Sequence, residues 1–454
     1  MQSVVYFAGN DQTVEHHAAP LQSRFDVRIL LPHQIVEQAN PGDLAVFYTE
    51  HFDVFREASL QLKEKNVATL YMIDGILEWR NAWENSPDEV ACPYTMRPAL
   101  SHKVACIGAS QARTLAAWGN ADKVEVVGIP RLDQWPVGHA ETKPAQADTD
   151  NPSDRPFRVL VMSAKTPAFT PEQLETVRRS LSDLVAWQKA NPVIADRKIE
   201  FTWRLTRGLE TELAVDNDLK CLAGTDLPDQ LQQVDAVITT PSTAMLEAMR
   251  LGLPVAQLDY HNRPHYVQTG WDIATADHIT EALTQMAGRQ PVRMLFQRQQ
   301  LADALYLEGN ATERLACLIE GMLTLAYQQI QAGQTLSFPA NMLTQPKYQP
   351  VGFEHSVLYG APEFQESDAT VLQCQLSHSR REIENLNAQI KQLQSELDQA
   401  HQIFETINSH PVAGPIVRIR QRMIDLMEKI QRHTKSTDLQ DPVSPVPFKT
   451  PADQ

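Results

Sequence analysis

Residues 235–256 read Asp235-Ala-Val-Ile-Thr-Thr-Pro-Ser-Thr-Ala-Met-Leu-Glu-Ala-Met-Arg-Leu-Gly-Leu-Pro-Val-Ala256, a pattern that predicts strand, turn, helix, turn and strand. An apolar run over 235–239 ends in the turn formers Pro241 and Ser242. A helix over 243–251 stops at Gly252, and Pro254 opens a second buried strand over 254–258. A helix entered from a strand in this way belongs to a βαβ unit and a parallel sheet. Ser242 or Thr243 is placed to cap the helix, and the same free N–H groups and helix dipole make an anion site suited to a nucleotide diphosphate. Glu247 lies one turn on, on the face of Thr243, where its carboxylate is either solvated or accepts hydrogen bonds from ribose hydroxyls. Residue chemistry alone leaves the plain cap and the ligand site level.

The same alternation extends outward. Strands are expected at 4–7, 27–31, 44–48, 68–73, 104–107 and 124–127, and again at 158–162, 199–205, 235–239 and 254–258. Helices are expected at 171–190, with Thr170 as cap and Pro171 in the first turn, and at 278–288 and 311–331. Residues 138–156 are polar and rich in Pro, Asp and Ala, and read as a linker. The fold class is therefore α/β: two Rossmann-like halves, 1–137 and 157–332, facing a cleft whose ligands sit at the C-terminal strand ends. An irregular connection over 333–370 follows. Residues 371–408 then carry apolar residues at heptad spacing, including Leu376, Ile383, Ile390, Leu397 and Leu372, Leu386, Leu393, which predicts a coiled coil and self-association; one long helix laid on its own domain is the alternative. After Pro411, Gly414 and Pro415 a basic amphipathic helix is expected over 416–433, suited equally to an anionic membrane surface or to the oligomer. The tail, 434–454, reads as disordered.

The 454 residues carry a formal net charge of −16, which argues against nucleic acid as a partner. The N-terminus MQSVVYFAGN reads as a first strand and not a signal peptide, and no run of apolar residues is long enough for a membrane span. Five scattered cysteines without a CxxC pair fit reduced thiols in the cytoplasm.

The turn–Ser–Thr stretch followed by Glu-Ala-Met-x-x-Gly-x-Pro-Val resembles the donor-binding segment of GT-B glycosyltransferases; the UDP-GlcNAc 2-epimerases share that fold and a similar segment. The resemblance implies Ser242 and Thr243 at the phosphates and Glu247 at the ribose. A second stretch, Lys123-Val-Glu-Val-Val-Gly-Ile-Pro-Arg-Leu-Asp133, resembles one found in bacterial surface-polysaccharide transferases and CDP-glycerol glycerophosphotransferase-like proteins, with Ile129 where many relatives have Asn. Gly128 and Pro130 would shape the turn entering the cleft; Arg131 would face donor phosphates or, as the preferred reading, pair with Asp133. The resemblance covers most of residues 1–330 and implies a glycosyltransferase acting on a nucleotide-activated sugar, or on a polyol phosphate donor, with a surface-glycan or lipid-linked acceptor. A 2-epimerase and a non-catalytic scaffold working through its coiled coil are the rivals.

An inverting transferase needs a base for the acceptor hydroxyl. Asp74, at the end of the strand over 68–73, is the first candidate and Glu78 the second; a turn Asp capping the next helix is the alternative. Gly9 follows the first strand and would let an acceptor approach the backbone. His16 or His17 could serve instead, although a surface pair is preferred. Ser163, Lys165, Arg204 and Arg207 are candidates for the donor phosphates, and His261 and His265, in the loop after the strand over 254–258, for the donor site. No cofactor and no metal are called for, since helix dipoles and basic side chains can stabilise a leaving diphosphate.

Overall fold

The computed structural model describes residues 3–10, 12–84, 96–135, 155–214, 219–220 and 226–346, together with 387, 390–395, 397–399, 402 and 427. The linker over 138–156 lies outside these residues but for its last two. The basic helix lies outside them but for Met427, and the heptad region outside all but the short helical pieces between 387 and 402.

The first sheet is built from β1 (Val4–Ala8), β2 (Asp26–Leu30), β3 (Leu44–Phe47), β4 (Ala68–Met72), β5 (Lys103–Cys106) and β6 (Val124–Val126), with α1 (Gln12–Ala18), α2 (Pro32–Gln38), α3 (Asp53–Glu64), α4 (Trp79–Trp83) and α5 (Ala109–Leu115) between and beyond them. All six strands are parallel, in the order β2-β1-β3-β4-β5-β6. The run Val4-Val5-Tyr6-Phe7-Ala8 is buried along its whole length, as a central parallel strand covered on both faces must be. The second sheet comprises β7 (Phe157–Met162), β8 (Val193–Ile194), β9 (Arg197–Arg204), β10 (Ala236–Thr239), β11 (Val255–Leu258) and β12 (Trp271–Ile273). Its order is β12-β11-β10-β7-β9-β8, with only the short edge strand β8 antiparallel. Its helices are α6 (Pro171–Ala190), α7 (Leu209–Ala214), α8 (Leu227–Gln232), α9 (Ala244–Arg250), α10 (His278–Ala287) and α11 (Pro291–Ala304). Thr170 caps α6 as expected, accepting from Gln173 N at 3.3 Å.

The last helix, α12 (Ala311–Gln331), follows the second sheet in the chain yet packs on the first. Leu315, Leu318, Ile319, Met322 and Ala326 share one buried cluster with Val5, Phe7, Leu44, Val46 and Leu70. The carboxylate of Asp133 fixes its start, accepting from Ala311 N (2.9 Å), Thr312 N (2.8 Å) and Thr312 Oγ1 (2.7 Å). The residues after α12 are stapled to the same domain by a buried ion pair, Lys103–Glu125 at 2.7 Å. Lys103 Nζ also donates to the carbonyls of Asp122 and Pro339, and Glu125 accepts from Met342 N and Leu343 N.

A third cluster joins the two sheets: Ile107, Ile129 and Leu132 from the first half are buried with Leu160, Met162, Met245, Leu246 and Leu305 from the second. Gly108 is required here, because a Cβ would lie 2.3 Å from the Ala304 backbone. Among the described residues no helix is long and apolar enough to cross a membrane.

Candidate active site

Each sheet has one point at which successive crossovers leave in opposite directions: between β1 and β3 in the first, and between β7 and β10 in the second. At such points the loops beyond the C-terminal strand ends diverge, and in open α/β sheets the crevice they leave is where ligands bind. In the first sheet Gly9, with φ +143°, turns the chain out of β1; a Cβ on it would meet Val14 at 2.7 Å. The turn leads into α1, whose Val14, His17 and Ala18 face inward, followed by Leu21. His16 is exposed and His17 has no exposed surface, so the expected surface pair splits: helical spacing from Val14 to Ala18 and Leu21 places His17 on the apolar face. Its ring stacks on Tyr48, just past β3, with centroids 5.6 Å apart. Its Nε2 lies 3.9 Å from Asp74 Oδ2.

Asp74 stands two residues beyond β4 with 35% of its side chain exposed. It caps no helix, since α4 begins only at Trp79. Burial pushes its carboxyl upward, but His17 and then Arg131 outweigh this and hold it below the usual carboxylate range. The adjoining Gly75 meets the second half directly. A Cβ there would sit 2.5 Å from Thr243 Oγ1, and the same hydroxyl accepts from Ile76 N at 3.2 Å.

The contact with Ile76 changes the reading of the turn after β10. Neither Ser242 nor Thr243 caps α9: Thr243 occupies the cap position in a helical conformation without a side-chain cap bond, its hydroxyl being turned to the opposite half. Ser242 Oγ lies 3.3 Å from Thr239 Oγ1. Glu247, 5% exposed, pairs with Arg131. Arg131 therefore does not pair with Asp133, whose two oxygens are taken by the start of α12. Arg131 is delivered by the turn at Gly128 (φ +98°), where a Cβ would lie 2.8 Å from that of Ala311, and by the 3₁₀ turn Pro130–Leu132. Asp74, Gly75, Thr243, Glu247 and Arg131 thus meet in one place, contributed by three stretches of sequence.

A second group forms further along the crevice. Glu78 pairs with the buried Arg80, which also donates to the Pro167 carbonyl at 3.3 Å. Burial, followed by the nearby Asp259, raises the Glu78 carboxyl. The buried Asp259, one residue past β11, accepts from His265 Nε2 at 3.0 Å and from His261 N at 3.1 Å. The bond to His265 and its charge, then Arg80, hold Asp259 below its ordinary range despite burial, and His265 is raised in return. His261 is pushed down to about 4, first by burial and then by Arg80. Asp259, Asn262, Arg263, His265, Gln268 and Asp272 line part of a cavity of about 160 Å³. The halves are tied beside it by Trp83 Nε1 donating to Tyr266 Oη at 2.9 Å and by Arg263–Glu84 at 2.7 Å.

The remaining candidates lie at the ends of β7 and β9. Ser163 Oγ accepts from Thr206 N at 2.9 Å, Arg204 donates to Gln230 at 3.1 Å, and Arg207, at φ +54°, donates to Thr166 at 3.2 Å. Lys165 is exposed. The loop ends at this switch point are bridged by Ala164 N donating to Thr240 Oγ1 at 2.8 Å. Asp259 and Arg80 are among the polar residues that sequence reasoning did not single out; the position of Asp259 directly after β11 was the available signal. Among the described residues no group of three His, Cys, Asp or Glu side chains could hold a metal ion.

No family model and no curated protein matches the chain. Among solved structures it is similar to the Methanocaldococcus jannaschii UDP-GlcNAc 2-epimerase in complex with UDP-GlcNAc and UDP, at 12% identity over 70% of this chain and 99% of that one, with a TM-score of 0.48. It is similar to S. aureus MnaA with UDP, at 11% identity over 74% of this chain and 100% of that one, with a TM-score of 0.47. It is also similar to a variant of the wall teichoic acid polymerase TagF soaked with CDPG, at 11% identity over 71% of this chain and 88% of that one, with a TM-score of 0.43.

Proposed function

We propose that the chain is a glycosyltransferase that moves a sugar, or a polyol phosphate, from a nucleotide-activated donor onto a surface-glycan or lipid-linked acceptor. The observation that carries this reading is the partly exposed Asp74 carboxylate near Arg131, itself paired with Glu247 of the second half, beside the Ile76–Thr243 contact between the halves. The acceptor binds the first half and the donor the second. For sugar transfer, Asp74 takes the acceptor hydroxyl proton as the acceptor oxygen bonds to the anomeric carbon from the face opposite the leaving group. The carbon–oxygen bond to phosphate breaks, and the nucleoside diphosphate leaves with that electron pair. Arg131 and Lys165 meet the growing negative charge without a metal or cofactor, and Glu247 exchanges its Arg131 partner for ribose hydroxyls. Self-association through residues 371–408 and contact of 416–433 with the inner face of the membrane would bring the site to a lipid-linked acceptor.

The test is a thermal-shift panel of UDP, CDP, CMP, GDP and dTDP on wild type and Glu247→Ala, followed by donor turnover. One nucleotide should stabilise wild type, by about 2.7 kcal/mol at a hundredfold excess over Kd, and should fail to stabilise Glu247→Ala. Asp74→Asn should keep that nucleotide shift while transfer falls about 10²- to 10⁴-fold. A folded wild type that responds to none of the nucleotides sinks the proposal in favour of a scaffold. Turnover that yields only a C2 epimer of the donor sinks it in favour of an epimerase.

A further inference from the structure

We propose that His17 is the positioning residue of Asp74, its imidazole holding the carboxylate toward the crevice through Oδ2 and leaving Oδ1 for the acceptor hydroxyl. The inference rests on the reading of Asp74 as the base.

Three observations carry it. His17 has no exposed surface, and neither ring nitrogen has a hydrogen-bond partner. Buried side-chain polar atoms are nearly always bonded, and a leucine on this face of α1 would fill the space without leaving a nitrogen unpaired. Nor is the ring free to turn elsewhere: it stacks on Tyr48 with planes 30° apart, and Val14, Ala18 and Leu21 fill the rest of the face. The polar group to which it presents an edge is Asp74, with Nε2 3.9 Å from Oδ2. Catalytic hydrogen bonds are often long before substrate arrives and tighten in the complex. His17 comes from the helix after β1 and Asp74 from the loop after β4, with Tyr48, just past the intervening β3, stacked on the imidazole.

The other titratable groups around the pair are Arg131, from the turn after β6, Tyr48 and Glu50, past the end of β3, and Tyr71 in β4. Burial and the neighbouring Glu50 and Asp74 push the Tyr71 hydroxyl far up, so it stays neutral. Arg131 remains in every variant below, so a change on altering His17 reports His17.

The experiment uses the full chain labelled with [¹³Cγ]Asp, the Asp74 signal being assigned by its loss in Asp74→Asn. Two variants are compared with wild type. His17→Phe keeps an aromatic ring on Tyr48 without a nitrogen; His17→Gln restores an N–H. The carboxylate midpoint should move up by about one pH unit or more in His17→Phe, as burial prevails once the partner is gone, and return part of the way in His17→Gln. The acid limb of kcat/KM should move with it while the donor KM stays put. A His17→Phe protein whose Asp74 midpoint is that of wild type overturns the proposal, since a packing role would leave titration unchanged. If the variants fail to fold, the wild-type His17 ¹³Cε1 signal decides. It should track Asp74 ionisation, and a signal blind to it overturns the proposal. Transfer surviving in Asp74→Asn strikes the base reading itself, a different outcome from an unmoved midpoint.

Discussion

Two carboxylate–cation pairs, one within the first half and one joining it to the second, are built differently. Lys103–Glu125 has no exposed surface on either side. All three ammonium protons find oxygen and both carboxylate oxygens accept backbone N–H groups. Arg131–Glu247 opens on the crevice, with a quarter of the arginine exposed, and a single bond joins the two. A fully satisfied pair in a low dielectric is costly to break and holds segments together. A pair with spare donors and a spare oxygen beside solvent can trade partners when a ligand offers hydroxyls or phosphate. Completeness of hydrogen bonding, more than burial, separates the staple from the candidate site.

The sharpest way to break this comparison is Lys103→Met. It leaves Glu125 charged and buried and should cost about 3–5 kcal/mol, read as a lower urea midpoint at unchanged slope. Arg131→Met should cost about 1–2 kcal/mol, between the surface and fully buried values, while abolishing nucleotide stabilisation. Equal costs for the two would end the distinction. The smallest effect is in pH. His102, beside the staple, and His261, beside the crevice, are both pushed from 6.5 to about 4, first by burial and then by neighbouring cations. Their folded values lie below the unfolded ones, so the stability they contribute is present above pH 6.5 and is lost as pH falls toward 4. Melting temperature should drop over that window, and His261→Gln should remove only the crevice share of the drop.

Much of the α/β frame was legible in the sequence because buried parallel strands are short continuous apolar runs: β1, β4, β7 and β10 stand within a residue or so of their expected limits. The strand β12 was missed because Trp271-Asp272-Ile273 is three residues long and split by a charge, and α11 because its buried face includes the polar Arg293 and Gln297 while the apolar Val292 and Leu295 are exposed, which blurs the stripe. The site was legible as a set of strand ends and turns, from which Asp74, Thr243 and Glu247 could be named. The partners were not. Arg131 and Glu247 are 116 residues apart, and Asp133 reaches a helix start 178 residues on. Thr243 forgoes its own helix because a backbone N–H of the other half competes for its hydroxyl. Local rules rank only local partners. His17 was within reach, since its spacing from Val14, Ala18 and Leu21 marks a buried face.

The return of α12 to the first sheet governs how the protein can be made. Val5, Phe7, Leu44 and Leu70 find much of their cover in residues between Leu315 and Ala326, and the staple closes only on Met342 and Leu343. Up to that point in synthesis, one face of the first sheet waits with its apolar side chains uncovered while the whole second sheet is being added. Exposed faces of that kind invite association between nascent chains. The half made first is therefore the half completed last, and a fragment ending before α12 should be an aggregating species and not a separable domain.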